Sequence, residues 1–420
     1  MRMKFNKSSQ LLLVCAASLL LAGLMSACSQ VTQTLTVDFV YVSSSQAAGA
    51  HSDGEINVFE VNSESGRMRQ IPTSPFPSGG RNPVAEVTSP DYSSLFVVNQ
   101  DDNNVTQFVI GIDGKLYPYN TVNTPGVFPM GMVMNKSYAY VLDLYQPLPV
   151  CLSPAPSAPP PCSGSIGVFP IIPATRNTAI SMGTPIDNGG LTYWPLNLPS
   201  KPNDILVPTA INVLASGAYV YATAYDYSVT PTVGYIFGFS VGPSGSLTPL
   251  NGGVPLTAGV QPSAIASDIT SKYLYVTDFG TGKILGYAVN SGQLTPLSGS
   301  PFPAGNQPAA IVLDPSFPFA YVANSQDSTV TAYSVNNGEL SLLGTYTTGL
   351  QPVAIGVDPS TNHFLYTVNF LGNNVSNFQL NQTNGSLLYG QFSPYASNPL
   401  PTAVAAIPHV GTGSGVSKTP

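Results

Sequence analysis

The chain has 420 residues, only 8% of them charged, and a formal net charge of −7 at pH 7. Thirteen Lys and Arg against 20 acids, with 39 Gly and 40 Pro, argue against a nucleic-acid binder, a charged disordered chain or a helix bundle. Twenty-two Tyr and 18 Phe among so many turn formers fit short strands joined by tight turns instead.

Arg2, Lys4 and Lys7 make a basic start, followed by an apolar run from Leu11 to Leu24. That run is short for a membrane span, and residues 1–27 read as a signal peptide. The run ends Leu24-Met25-Ser26-Ala27-Cys28, which resembles a bacterial lipobox. The resemblance implies that Cys28 is lipidated and becomes the mature N-terminus, holding the protein at the cell envelope on the outer-membrane or periplasmic side. The alternative is an ordinary secretory leader cut near Ala27. Residues 28–37 read as a tether, 38–410 as one domain, and 411–420 as a flexible tail.

Within the domain two kinds of segment alternate. One is a β-rich stretch that ends near a short polar residue: Phe39–Ser43, Leu95–Asn99, Ala139–Asp143, Val220–Ala224, Leu274–Asp278, Ala320–Asn324 and Leu365–Asn369. The other begins with Pro and continues with small or aliphatic residues, at Pro83, Pro129, Pro202, Pro262, Pro308, Pro352 and Pro401. The chain opens on the first kind and closes on the second. A linear array leaves both ends unpaired, whereas a ring pairs the last segment with the first.

Pro262, Pro308 and Pro352 follow one another at 46 and 44 residues. Each repeat here reads Gln-Pro-x-Ala-Ile, a turn, a Tyr-Val-type strand and a third strand. Asn337-Gly338 and Asn384-Gly385 then open a fourth strand, as type I′ hairpins do. Four strands at a period near 45 predict propeller blades. The fold expected is all-β: seven four-stranded antiparallel blades, with Pro401–Ile407 closing the ring beside Phe39–Ser43. Pro suits the start of an inner strand, whose free edge faces the channel. Pro75–Pro77 and Pro301–Pro303 mark connections between blades.

Blade three is irregular, with an insertion at about residues 145–200. Cys151 and Cys162 bracket a Pro-rich stretch, and in an oxidising compartment a disulfide is expected there. A metal pair would need further ligands, which the neighbourhood lacks.

The strands Tyr321-Val322-Ala323-Asn324 and Leu365-Tyr366-Thr367-Val368-Asn369 resemble the YVTN repeat. From Phe39 to Pro408 the chain is similar to the seven-bladed lactonase-type propeller family, which includes bacterial 6-phosphogluconolactonases. The resemblance implies lactone hydrolysis by His, Arg and Glu at the channel. Three His are present. His363 and His409 fall in turns opposite the channel mouth, and His51, near Asp53 and Glu55, is a general-base candidate or a solvated loop residue.

Two residues break the repeat. Glu86 stands where the other blades carry Met132, Ile205, Ile265, Ile311, Ile355 and Val404, and Asp204 replaces an Ala or Gly. A carboxylate in an aliphatic slot should have a raised pKa. Arg81 with Glu86 and Lys201 with Asp204 are candidate ion pairs gripping a polar ligand; Arg81 and Glu86 are also candidate catalytic groups. Structural pairing is the alternative. Tyr193 and Trp194, between Gly189-Gly190 and Pro195, are candidates for stacking on a ligand, or for packing the insertion. The Asn and Asp that end most second strands read as turn caps rather than a cation ring. Asp101-Asp102-Asn103-Asn104 lacks a defensible Ca²⁺ spacing. No metal, cofactor or nucleic acid is expected.

The reading is a monomeric, lipid-anchored scaffold that binds a small molecule or an envelope protein. The alternative is a lactonase acting on a sugar-type lactone in the channel.

Overall fold

Strands with apolar side chains on both faces stay out of water only if other sheets cover each face. The computed structural model describes residues 37–45, 53–151, 162–359 and 364–408. Seven antiparallel sheets, each of four main strands, cover one another in a ring. Blades two to seven begin with the inner strands Pro83–Thr88, Val127–Met134, Leu206–Val213, Pro262–Ser267, Pro308–Leu313 and Pro352–Val357. All seven β-rich segments lie in second strands, as expected. Blade one takes its second strand from Val37–Ser44 and its inner strand from Pro401–Ile407. Phe39 lies opposite Ile407 and Val42 opposite Val404, so the two ends of the domain close the ring.

One inner strand differs from expectation. In blade four the residue paired like the other inner-strand prolines is Pro208, opposite Ala224, as Pro262 is opposite Asp278. Pro208-Thr209-Ala210-Ile211 restores the Pro-x-Ala-Ile pattern, and Ile211 fills the aliphatic slot. Pro202, Asp204 and Ile205 lie in the preceding loop. Asp204 therefore replaces no inner-strand Ala, and Pro202 was the wrong proline for the repeat.

Neighbouring blades are hooked together by aromatics. The second-strand tyrosines Tyr41, Tyr221, Tyr275 and Tyr321 are fully buried. Their hydroxyls donate to the carbonyls of Gly114, Gly292, Gly338 and Gly385 in the next blade at 3.2, 2.8, 2.8 and 3.2 Å. The aromatic that opens each of these strands lies across the same glycine. A Cβ on Gly338 would come within 2.6 Å of the Tyr273 ring, and on Gly114 within 2.4 Å of Phe39. Positive φ and a close aromatic approach together require glycine there.

Asn337 and Gly338, at φ 48° and 86°, form the expected two-residue turn between Asn336 and Glu339. Asn384-Gly385 does not. There Leu380 pairs with Leu387, and Asn381 Oδ1 accepts the N–H of Thr383 (3.0 Å) and of Asn384 (3.3 Å). This local side-chain turn replaces the tight hairpin.

The irregular segment is not one insertion, because the third strand of blade three, Ser165–Ile172, runs through it. The disulfide between Cys151 and Cys162 forms, with Cα atoms 6.0 Å apart, and packs against Val127 and Tyr145. Cys28, His51, His363, His409 and the tail 411–420 lie outside the described residues.

Candidate functional site

Loops into the inner strands and loops between second and third strands share one face, the mouth of the channel. The inner strands that line the channel carry one charged residue in all, Glu86. The side chain is only 8% exposed and reaches sideways to blade one. There the carboxylate accepts hydrogen bonds from Ser43 Oγ and the Ala405 backbone. Burial pushes its pKa up to about 7 against these bonds, and Oε1 has no partner among the described residues. The raised pKa follows the sequence reading; the pairing with Arg81 does not. Arg81 binds Asp102 instead, with Nη2 2.6 Å and Nε 2.7 Å from Oδ1 and its backbone N–H 2.7 Å from Oδ2. Burial alone would raise the Asp102 pKa, but the Arg81 hydrogen bonds and charge hold it below the usual range.

The second expected pair does form. Lys201 Nζ lies 3.3 Å from Asp204 Oδ2 in the loop before blade four. The loop brings Asp204 against Asp226, a buried residue at the end of the second strand. Burial, and then a hydrogen bond shared with Asp204, raise the Asp226 pKa, although the Ser228 backbone N–H donates to it at 2.8 Å. Asp226 was missed in the sequence because it lies two residues beyond the repeat's usual polar end, which in blade four is Ala224.

Tyr193 and Trp194 are buried, at 7% and 3% exposure, and offer no stacking surface. Trp194 Nε1 donates to the Leu247 carbonyl at 2.8 Å, and the ring packs in the core between blades three and four. Trp194-Pro195 pairs with Ser165-Ile166 as Phe302-Pro303 pairs with Lys283-Ile284. The aromatic-Pro dipeptide was the signal that this is a blade connection.

The polar ends of the second strands cap incoming loops. Asp278 accepts the N–H groups of Val260 (3.0 Å) and Gln261 (2.8 Å), Asn324 that of Gly305 (3.0 Å), and Asp143 that of Gly126 (3.1 Å). Among the described residues no group of three or more His, Cys, Asp and Glu could hold a metal.

Beside these charged loops the mouth presents a neutral patch. Met130, Thr209, Gln261, Ser263 and Phe279 line a cavity of about 230 Å³ between blades three, four and five. Gln307 and Gln351 repeat the Gln261 position in blades six and seven, directly before the inner-strand Pro. Their backbones are clamped: Phe279, Ser325 and Phe370 donate N–H to the carbonyls of Gln261, Gln307 and Gln351 at 2.8, 2.9 and 2.8 Å. The three side-chain amides make no hydrogen bond to any described residue. Gln307 and Gln351 also hold φ of 52° and 56°, an uncommon conformation for a residue other than glycine. Fixed backbones with unused amides, flanked by the half-buried rings of Phe279 and Phe370, form a preorganised surface for a polar ligand. The Gln-Pro repeat was visible in the sequence, but that its amides go unused needed the structure.

The architecture defines a seven-bladed β-propeller with an amide-bearing neutral patch at its mouth. Residues 290–405 match the family described as "Lactonase, 7-bladed beta-propeller", in keeping with the resemblance of the repeats. Among solved structures, a Bacteroides fragilis protein provisionally called a 6-phosphogluconolactonase is similar at 18% identity, with a TM-score of 0.66 over 89% of this chain and 99% of that one. The periplasmic gluconolactonase of Pseudomonas aeruginosa is similar at 17% identity, with a TM-score of 0.65 over 88% and 99%. At these identities the likeness is one of fold. No curated protein matches the chain.

Proposed function

We propose that this propeller binds a neutral, polyhydroxylated ligand at its mouth and serves as a binding scaffold at the cell envelope. The observation that carries the reading is the set of unused amides of Gln261, Gln307 and Gln351 beside Phe279 and Phe370. Amides donate and accept at once and so match hydroxyl groups, while ring faces take the apolar side of a sugar. Calorimetric titration with glucono-1,5-lactone and with glucose tests it. Binding of either should weaken about tenfold in Gln307→Ala/Gln351→Ala, the loss of roughly one good hydrogen bond. Absence of binding, or binding indifferent to both substitutions, overturns it.

A second reading, lactone hydrolysis, is favoured by the Asp204–Asp226 pair and the adjacent Lys201. Burial raises the Asp226 pKa, which suits a base that takes a proton from water, and the Lys201 ammonium beside Asp204 would stabilise the oxyanion. The names of the structural relatives point the same way. Turnover of the lactone that falls at least about a hundredfold in Asp226→Asn supports this reading. Absence of turnover leaves the scaffold.

The envelope location rests on the Leu24–Cys28 motif. Fatty-acid labelling should disappear in Cys28→Ser, and labelling that persists sinks the anchor.

A further inference from the structure

A cavity of about 930 Å³ lies not at the mouth but at the opposite end of the channel. It opens beneath blades two, three and four, where the chain turns from each inner strand to the second. Ser89, Tyr92, Asn135, Lys136, Tyr138 and Ser216 are among the residues that line it. Its volume is at the upper end of the range for small-molecule sites.

The turns that wall it are fixed. Ser89 Oγ receives the Ser94 N–H at 3.0 Å, and Asn135 Oδ1 receives the N–H groups of Ser137 and Tyr138 at 2.8 and 2.9 Å. The Ser216 N–H is held by Ser271 Oγ at 2.9 Å, and Tyr138 Oη donates to the Pro243 carbonyl at 2.8 Å. These walls exist without a ligand.

The charge around this face is lopsided. In blades five, six and seven the residue that closes the turn, its N–H bonded to the start of the second strand, is Asp268, Asp314 or Asp358. In blades two, three and four the same position holds Ser89, Asn135 and Leu214. The cavity lies under the three blades that lack the acid. Lys136 is the one charged residue lining it, and its ammonium forms no ion pair with any described residue. The nearby Asp91 carboxylate is taken up within its own turn, by the Ser89 hydroxyl at 2.6 Å and by the Ser93 N–H and hydroxyl at 3.2 and 2.8 Å. Lys272 lies in the neighbouring turn of blade five, next to the Ser271 that holds Ser216, and its own N–H is held by Asp268 at 2.8 Å.

We propose that this cavity is a second ligand site, independent of the mouth, which takes a small oxyanion on Lys136. The Ser and Asn groups of the three turns supply neutral polar contacts, and an anion there meets one turn acid, Asp91, rather than the three under blades five to seven. Carboxylates and phosphates share this chemistry.

Calorimetric titration of the purified protein at low salt with citrate, and separately with inorganic phosphate, tests the site. At least one should bind saturably, and the stronger identifies the headgroup class. Lys136→Ala should weaken it about tenfold and Lys136→Arg should retain it, as expected for one charge-assisted contact. Lys283→Ala, at the mouth end of the third strand of blade five, should change nothing, and Ser216→Trp, which fills the cavity from an exposed turn, should abolish binding. Lys136 is exposed, so these variants should melt like the wild type. The proposal fails if neither probe binds, if Lys136→Ala binds as tightly as the wild type, or if Lys283→Ala weakens binding as much as Lys136→Ala does.

Discussion

Deleting residues 401–420 should abolish cooperative folding of the propeller. The closing strand Pro401–Ile407 is the whole inner edge of blade one. Its removal leaves the backbone of Phe39–Ser44 without partners along one side, and unmade ladder bonds cost about 1 kcal/mol each. It also uncovers Ile407, fully buried against Tyr41 and Val58, at roughly 2 to 3 kcal/mol. The sum is comparable with the whole stability of an ordinary domain, about 5–15 kcal/mol. Circular dichroism during guanidinium denaturation should show a broad, early transition for the truncated chain. A synthetic peptide covering Pro399–Pro408 should restore the original midpoint when added in excess. A truncated chain that melts like the full one would refute ring closure by these strands.

The second large effect is on pH dependence. Glu86 lies on that same seam, in blade two, and its carboxylate takes hydrogen bonds from both ends of the domain, Ser43 and Ala405. Burial raises its pKa from 4.5 to about 7 in the folded protein. In the unfolded chain the group ionises at its ordinary value, while the folded protein keeps it neutral. The folded state thus binds the extra proton, and stability is fully present below about pH 4.5. It is lost as pH rises from there to about 7, and levels off above that. The size is on the order of 3 kcal/mol at most. Glu86→Gln keeps an acceptor for both donors without ionising. It should match the wild type near about pH 4.5 and exceed it above about pH 7.5. Asp143, also pushed up to about 7 by burial, has the same sign and remains in both proteins, so the difference between the two curves isolates Glu86. Curves that run parallel across this window would show that Glu86 does not ionise differently on folding.

These results also show how far the sequence carried. All seven second strands, the ring closure and the disulfide were legible, because each rests on a local signal repeated along the chain. The exception in blade four is instructive. Pro202 and Pro208 both fit a loose pattern of Pro followed by small residues. Only the pairing of Pro208 with Ala224 decides between them, and that is a matter of register across strands. Likewise the sequence left Trp194 open between stacking on a ligand and packing the insertion, because its partner, the Leu247 carbonyl, lies 53 residues away in the next blade.

The amino-acid sequence by itself determined the fold, since short-range turn chemistry, strand alternation and the offset of the two repeat types admit one closed arrangement. It also singled out Glu86 as the odd residue of the inner ring and predicted its raised pKa. The tertiary structure alone decided what these residues do. It turned Glu86 into the seam instead of the channel and gave Arg81 to Asp102. It placed Asp226 against Asp204, and it left the glutamine amides and Lys136 without partners among the described residues. Side-chain partnership in a propeller is set by neighbouring blades some 45 residues apart, and no local pattern encodes which groups will be satisfied there and which left for a ligand.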